Sequence, residues 1–242
     1  LAMISAGNTG ATMASALLKI GRIRGVSRPA IATPIPVLGR ANPNILLDSG
    51  ANAECNPEWL VQFAEMGAVY ARDRFSTDKP KIGLLSIGEE PGKGSPLVKE
   101  AFELLDDQDW QERCSGEFIG NVEGRDLMNP DIDVIVTDGF TGNVALKALE
   151  GTAKAIVGAL LDVFSSSPEA KEGASLLAPS LLPLYETLDP ESVGGAILLG
   201  IKGVSMVSHG SSGPKAIFNA ISTAYELSIE KHVEHLEQVI KR

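Results

Sequence analysis

The sequence has little of several residue types, and each shortage argues against a class of function. Its 242 residues include only 2 cysteines and 3 histidines, and 31 Asp and Glu against 21 Lys and Arg give a net charge of −10. Binding of nucleic acid needs clustered basic side chains, so nucleic acid is not an expected partner. Cys55 and Cys114 lie far apart with no C-x-x-C spacing, and no His, Cys or carboxylate pattern has zinc-like spacing. We therefore expect two reduced thiols, a cytoplasmic chain and no metal site.

Several sequence features that would point elsewhere are also missing. No apolar run approaches the roughly 20 residues of a membrane-spanning helix, and no signal peptide is visible. There is neither a G-x-S-x-G elbow nor a Walker motif. Without an obvious nucleophile, direct transfer onto a bound anion is favoured over a covalent enzyme intermediate. The chain begins at Leu1 inside an apolar stretch, and we expect an N-terminal portion to be missing.

What is present is an alternation of apolar strand patterns with helical patterns. Near-continuous apolar strands indicate a mostly parallel sheet covered on both faces, so we predict an α/β fold with three layers. No linker or repeat divides the chain, and residues 1–242 are expected to form a single domain. The predicted strands are 1–4, 30–33, 45–47, 82–87, 118–119, 134–137 and 204–207. Asn56 followed by Pro57 predicts the start of a helix that runs to about residue 72 and has Phe63 and Tyr70 on its apolar face.

Nearly every predicted strand ends in a corner that combines Gly with Asn, Ser, Asp or Glu. In the first corner, 5–11 (SAGNTGA), Asn8 or Thr9 can cap the helix that follows. The free N–H groups at the start of this helix, including the turn at Gly10, suit the binding of a phosphate. A plain packing turn is the alternative. In open α/β sheets ligands bind at the carboxyl ends of strands. We therefore expect these corners to meet in one site.

Charged and ionisable residues in these corners are the candidates for chemistry. Lys93 lies between two glycines, from where its ammonium reaches an anion or remains solvated. Three roles are open for Glu89 and Glu90: they act as an acid or base, they anchor Lys93, or they are exposed to solvent without a role in the site. His209 precedes Gly210 and a helix start, which suits a donor to a bound anion as well as a satisfied buried imidazole.

The remaining candidates are polar residues that also serve ordinary structural roles. Asp48 and Asp138 each end a strand, where a carboxylate often binds neighbouring N–H groups. Amides fix loop shape or polarise a carbonyl, and hydroxyls at a helix start cradle an anion or cap the helix. The amides are Asn52, Asn121 and Asn143, and the hydroxyls are Ser211 and Ser212.

As an ordered set, the corners resemble a known family over nearly the whole chain. The motifs that carry the resemblance are SAGNTGA, LLDSGAN, IGEEPGKG, FIGNVEGRD, DGFTGN and GGAILLG followed by VSHGSS. Together they resemble the phosphate acyltransferase of bacterial phospholipid synthesis, the PlsX family. The resemblance implies a fold similar to phosphate acetyltransferases and to isocitrate and isopropylmalate dehydrogenases. Family members carry a preceding Gly-rich segment with an Asp that this sequence lacks, and Ser49 and Ser95 depart from the residues expected there.

The resemblance also implies an activity and partners. The family transfers a fatty acyl group from acyl carrier protein to inorganic phosphate, needs no metal or cofactor, and works as a peripheral membrane homodimer. A glycerol-3-phosphate acyltransferase would act downstream. For this chain, we expect phosphate to contact Asn8, Thr9, Gly10, Lys93, Ser211 and Ser212. His209 or Asn143 is expected to stabilise the oxyanion or assist the leaving thiolate, and Asn52, Glu89, Asn121 and Asp138 to line the same substrate site.

Residues 165–188 are expected to form an apolar helical protrusion, in which leucines cluster around Pro179 and Pro183 with few charges among them. The alternatives are a packed hairpin at a dimer interface and an apolar tip that enters the bilayer surface by insertion rather than by charge. The membrane interpretation is favoured. The residues expected at the tip are Leu176, Leu177, Leu181, Leu182 and Leu184.

Three other functions fit parts of the pattern. A CoA-dependent phosphate acetyl- or butyryltransferase on a similar fold would need no apolar tip. A metal- and NAD-dependent decarboxylating dehydrogenase would need a paired-Asp metal site, which is not evident. A non-catalytic, membrane-associated protein on the same fold is the third. For carrier docking, Arg22, Arg24 and Arg28 are one basic candidate.

Overall fold

The computed structural model describes residues 1–114, 116–188, 195–208, 210 and 212–241. In this part of the chain, eight strands form one sheet. The strands are β1 (Ala2–Ser5), β2 (Ala30–Ile35), β3 (Asn44–Leu47), β4 (Lys81–Leu85), β5 (Glu117–Val122), β6 (Val134–Val136), β7 (Ala196–Leu199) and β8 (Val204–Val207).

Helices connect most of these strands, and their ends follow local capping rules. α2 shows this well, because the Asn56 side chain accepts a hydrogen bond from Trp59 N at 3.0 Å and Pro57 occupies the first helical position, as predicted. The helices are α1 (Thr9–Lys19), α2 (Pro57–Phe75), α3 (Pro96–Leu105), α4 (Gln108–Arg113), α5 (Gly139–Ser165), α6 (Pro168–Leu188), α7 (Pro214–Ile229) and α8 (His232–Ile240), with a 3₁₀ turn at Gly124–Met128.

The predicted fold class is confirmed, with one strand more than the sequence suggested. The strand order is β1-β8-β7-β2-β3-β6-β4-β5, and four of the seven neighbouring pairs are parallel. β2 and β7 run antiparallel to their neighbours. β7 was not predicted because its four apolar residues lie between glycines and read as part of a loop motif.

Helices cover both faces of the sheet. The larger core packs α2, α7 and α8 on one face and includes Phe63 and Tyr70, both fully buried as the helical pattern predicted. On the other face, α1 packs near Ile31, and Leu146 of α5 packs near Ile35. Because Ile31 and Ile35 are four residues apart in one strand, α1 and α5 lie on the same face.

Strand direction determines where each corner opens. β3, β4, β5 and β6 run in one direction, and β1 and β8 run in the opposite direction. The carboxyl ends of the first four strands form what we call the Lys93 edge. The carboxyl ends of β1 and β8 form the Thr9 edge, about 13 Å away along a four-residue strand. The expectation that all corners meet at one edge is therefore wrong.

α5 and α6 form a long hairpin that leaves the body of the sheet. Only Gly139 and Gly142 of α5 are buried, and α6 has no buried residue. Leu176, Leu177, Leu182 and Leu184 are exposed, while Leu181 is half-buried. Among the described helices, none is long and apolar enough to cross a bilayer.

The five leucines predicted at the hairpin tip lie elsewhere along the hairpin. They follow the start of α6 at Pro168 by 8 or more residues, which places them about 12–24 Å from the turn. The exposed apolar side chains closest to the turn belong instead to the end of α5, at Leu160, Leu161 and Val163. The leucines of α6 thus form the side of the hairpin rather than its end.

Candidate active site

The β3 corner is built around the carboxylate of Asp48, which is fully buried. Its Oδ1 accepts hydrogen bonds from the backbone N–H groups of Ile31 at 3.0 Å, Gly50 at 3.1 Å and Ala51 at 2.9 Å. Its Oδ2 accepts two more from Asn52, from N at 2.7 Å and from Nδ2 at 2.8 Å. Burial raises the pKa of Asp48, while these hydrogen bonds act to lower it. The structural role predicted for Asp48 is confirmed.

Asn52 serves the same corner. Its Nδ2 also donates to Pro29 O at 2.9 Å, and its carbonyl accepts from Gly139 N at 2.8 Å. The Asn52 side chain therefore connects the strand β3 corner to the segment that precedes β2. A direct role for Asn52 in substrate binding stays a prediction.

The start of α5 packs directly on this corner. Asp138 caps the helix, accepting from Thr141 N at 2.8 Å and from Thr141 Oγ1 at 2.7 Å. A Cβ at Gly139 would lie 2.6 Å from Asn52 O, and a Cβ at Gly142 would overlap the carbonyl oxygen of Asp48. Glycines three residues apart therefore let backbone meet backbone without side chains between them.

Asn143 completes the contact between α5 and the β3 corner. Its Nδ2 donates to Ser49 O at 3.1 Å, although the residue as a whole is exposed. The Ser49 hydroxyl in turn lies 2.6 Å from Thr33 Oγ1. This amide thus fixes loop shape, one of the two roles that the sequence left open for it. Its role at an oxyanion stays a prediction.

Cys55 lies beside this corner but is unsuited to act as a nucleophile. Its Sγ is 3.6 Å from Asn52 O, and burial raises the pKa of the thiol to about 12. Because the thiolate is the reactive species, this thiol stays protonated and inert near neutral pH. The geometry agrees with direct transfer rather than with a cysteine-bound intermediate.

The β4 corner holds Lys93 at the Lys93 edge. The aliphatic stem of Lys93 passes over Gly88, where an added Cβ would lie 2.9 Å from Lys93 Cγ, and Lys93 N donates to Glu90 O at 3.0 Å. Lys93 is exposed, and within the described residues its ammonium is in no ion pair. Gly94, at φ +104°, turns the chain into α3, which Ser95 caps. An unpaired cation next to a helix N-terminus suits an anion.

Neighbouring residues fix the β4 corner. Asn121 of β5 is buried and donates through Nδ2 to Glu90 O at 2.9 Å, while its Oδ1 has no partner among the described residues. Glu89 pairs with Arg125, Nη2 to Oε1 at 2.9 Å, so it does not anchor Lys93. The hydrogen bonds of Asn121 and Glu89 are structural, and their roles toward substrate stay predictions.

The Thr9 edge carries Asn8, Thr9, Gly10 and Ser212. The Asn8 side chain caps α1 by accepting from Ala11 N at 3.1 Å, and Thr9 and Gly10 form its first turn. Ser212 is half-buried just before α7. His209 and Ser211 lie outside the described residues.

The structure therefore divides the predicted site into two groups. Eight candidates lie at the Lys93 edge, and the Asn8–Gly10 turn with Ser212 lies at the other. The eight are Asp48, Asn52, Glu89, Glu90, Lys93, Asn121, Asp138 and Asn143. Sequence reasoning did not identify the Thr33–Ser49 hydroxyl contact or the Glu89–Arg125 pair. It also passed over the two close-packed glycines of α5, whose signal was their spacing of three residues at the start of a helix.

Comparison with known proteins defines the class of this fold. The phosphotransacetylase from Streptococcus pyogenes matches with a TM-score of 0.57 and 19% identity over 100% of this chain and 63% of that chain. The branched-chain phosphotransacylase from Enterococcus faecalis V583 matches with a TM-score of 0.52 and 15% identity over 94% and 73%. At such identities the likeness shows the fold alone, which is phosphotransacetylase-like.

Sequence comparison is more specific. A family model described as fatty acid synthesis protein matches residues 1–235. The phosphate acyltransferase of Elusimicrobium minutum (strain Pei191) is 47% identical over 248 residues, covering 100% of this chain and 70% of that protein. That of Geobacillus sp. (strain WCH70) is 44% identical over 241 residues, covering 100% and 71%. The chain belongs to this family of phosphate acyltransferase enzymes, the PlsX family, and spans about two thirds of the length of these relatives.

The contact between α5 and the β3 corner predicts a large effect of one methyl group. We expect Gly142→Ala to lower the free energy of unfolding by about 2–4 kcal/mol, because the backbone must shift to admit a Cβ. Urea denaturation followed by circular dichroism measures the change. Gly158→Ala, on the same helix with no described atom within 4 Å of its Cβ position, is the control and should leave stability unchanged or raise it by up to about 1 kcal/mol. Equal stability of the two variants would contradict the packing account.

Proposed function

We propose that the protein transfers a long-chain fatty acyl group from acyl carrier protein to inorganic phosphate, giving acyl phosphate for phospholipid synthesis. Membership of the phosphate acyltransferase family supports acyl transfer to phosphate. The observation that carries the site assignment is Lys93, an exposed ammonium in a glycine-rich corner with no ion pair among the described residues.

In the proposed reaction, an oxygen of the phosphate dianion attacks the thioester carbonyl carbon. The C–O bond forms, the C–S bond breaks, and the carrier leaves as a thiolate that then takes up a proton. Phosphate is already nucleophilic, so the protein contributes by desolvating it, orienting it on the face of the thioester carbonyl and stabilising the oxyanion. Lys93 and the N-terminus of α3 supply the positive potential that this requires.

The separation of the two edges changes the arrangement expected from sequence. Phosphate is too small to contact Lys93 and the Asn8–Gly10 turn together, since the edges are about 13 Å apart. We therefore assign phosphate to the Lys93 edge and the Asn8–Gly10 turn, with Ser212, to a different part of the extended thioester donor. α1 and α5, which lie on one face of the sheet, would flank the donor between these two points.

The assignment of Lys93 predicts a specific kinetic defect. We expect Lys93→Met in the full-length protein to raise the phosphate KM at least 10-fold, because a hydrogen bond to a charged group contributes about 1.5–3 kcal/mol. Trapping of acyl phosphate with hydroxylamine at varied phosphate measures this. Lys99→Met, which removes an exposed lysine of α3, is the control. A phosphate KM unchanged in Lys93→Met would remove Lys93 from the site.

A second candidate function is transfer between CoA and phosphate with short acyl chains, favoured by the phosphotransacetylase-like fold. The exposed apolar hairpin favours the long-chain reaction over this alternative, because a short-chain enzyme needs no apolar surface of that extent. Comparing acetyl-CoA with palmitoyl carrier protein as donors separates the two.

We also propose a peripheral membrane location and a homodimer, both of which use the α5–α6 hairpin. Amphipathic protein segments enter the interface by only about 5–10 Å, which the apolar side chains beside the turn can reach. The leucines along α6 are farther back, where a second copy of the chain would cover them.

This division of the hairpin predicts that two pairs of substitutions differ. We expect Leu161→Asp with Val163→Asp to abolish flotation with vesicles, because charge at the turn opposes insertion. We expect Leu176→Asp with Leu182→Asp to leave flotation of the protein intact while shifting its sedimentation coefficient toward the monomer. Flotation of the Leu161 and Val163 variant equal to the parent would contradict membrane contact at the turn.

A further inference from the structure

A cluster of basic side chains, which we call the basic corner, lies beside the β3 corner. It comprises Arg22, Arg24 and Arg28 of the α1–β2 loop and Lys202 of the β7–β8 loop, all exposed. The two loops are joined by Lys202 N donating to Gly21 O at 2.9 Å and Ile23 N donating to Gly200 O at 3.0 Å. Within the described residues, none of the four cations forms an ion pair with a carboxylate.

The backbone that carries the basic corner is held in one shape. Gln62 of α2 accepts from Ser27 N at 2.8 Å and donates to Gly25 O at 3.0 Å. Gly25, at φ +98°, packs against Ile240 of α8. The Arg28 guanidinium lies 4.9 Å from the centre of the Trp59 ring, a cation–π contact. A surface that is already ordered loses little entropy when a partner binds.

The basic corner lies at the Lys93 edge. Pro29, at the end of its loop, accepts a hydrogen bond from Asn52 Nδ2 at 2.9 Å, and the same Nδ2 donates to Asp48. The corner is thus continuous with the loops assigned above to the reaction. A partner bound there could present a thioester to the site without any domain movement.

The charge of the basic corner and its position in the fold indicate which kind of partner binds there. On a chain with net charge −10, long-range potential repels acidic proteins except where cations cluster without carboxylate partners. In the part of the chain that the structure describes, Glu54 and Glu58 of the neighbouring segment are in no ion pair with any of the four cations. A membrane is not the expected occupant, because α5 starts at this edge and its 27 residues place the apolar turn about 40 Å along the helix.

We propose that the basic corner is the docking surface for an acidic acyl carrier protein, held by charge beside the Lys93 edge. The inference rests on the proposed function for the identity of the carrier. The four cations determine carrier affinity and association rate, and the chemical step depends on other residues.

Charge reversal at Arg24 and Lys202, whose side chains form no hydrogen bond with any described residue, tests the proposal in the full-length protein. Arg24→Glu with Lys202→Glu should raise the KM for palmitoyl carrier protein at least 10-fold and leave kcat within about 2-fold, because long-range attraction is lost. Kinetics with palmitoyl phosphopantetheine, which has no protein carrier, should not change. Lys79→Glu with Lys81→Glu, at the start of β4 on the opposite edge, makes the same charge change and should affect neither donor.

Binding of fluorescently labelled carrier protein, followed by anisotropy, tests docking without turnover. The Kd should rise at least 10-fold in the Arg24 and Lys202 variant, and the affinity of the parent should fall between 50 and 500 mM salt. Unchanged carrier affinity or KM in that variant would overturn the docking surface and leave the proposed function standing. An equal loss of activity of that variant with palmitoyl phosphopantetheine would also overturn the docking surface, because this donor has no protein carrier. Absence of transfer from both donors by the parent would overturn the proposed function, and anisotropy would still decide the docking.

Discussion

The structure of the candidate site depends on the close packing of the start of α5 against the β3 corner. Five hydrogen-bond donors converge on the buried carboxylate of Asp48, and two glycines of α5 admit this loop to direct backbone contact. A buried carboxylate is stable only when its oxygens are satisfied, so the loop has little freedom to adopt another shape. Asn52 and Asn143 extend this constraint to the neighbouring segments.

The groups proposed to bind phosphate and the carrier lie on either side of the β3 corner. The β4 corner beside it offers a cation at the start of α3, and the basic corner on its other side offers several more. Each is held by backbone hydrogen bonds together with one side-chain amide, Asn121 at the β4 corner and Gln62 at the basic corner. An enzyme whose nucleophile is the substrate itself needs such positioning more than it needs a reactive side chain. The protonated thiol of Cys55 is consistent with a reaction in which phosphate, not a protein side chain, is the nucleophile.

Much of the fold could be predicted from sequence because its signals are local. Apolar runs identified seven of the eight strands, and Asn56 followed by Pro57 identified the start of α2. Strand direction is a long-range property, and no local signal at β2 or β7 reveals that the chain reverses there. As a result the residues of the corners were recognised, while their grouping at two edges was not. The leucines of α6 show the same limit, since composition marks a segment as apolar but does not place it relative to a hairpin turn.

The central claim is that phosphate binds at the Lys93 edge. Arsenate has the shape and charge of phosphate, and the anomalous scattering of arsenic identifies it in a crystal of the full-length protein. The account predicts an arsenic peak in the β4 corner, with an arsenate oxygen within hydrogen-bonding distance of Lys93 Nζ. A peak beside Ala11 N at the start of α1, with none near Lys93, would contradict it.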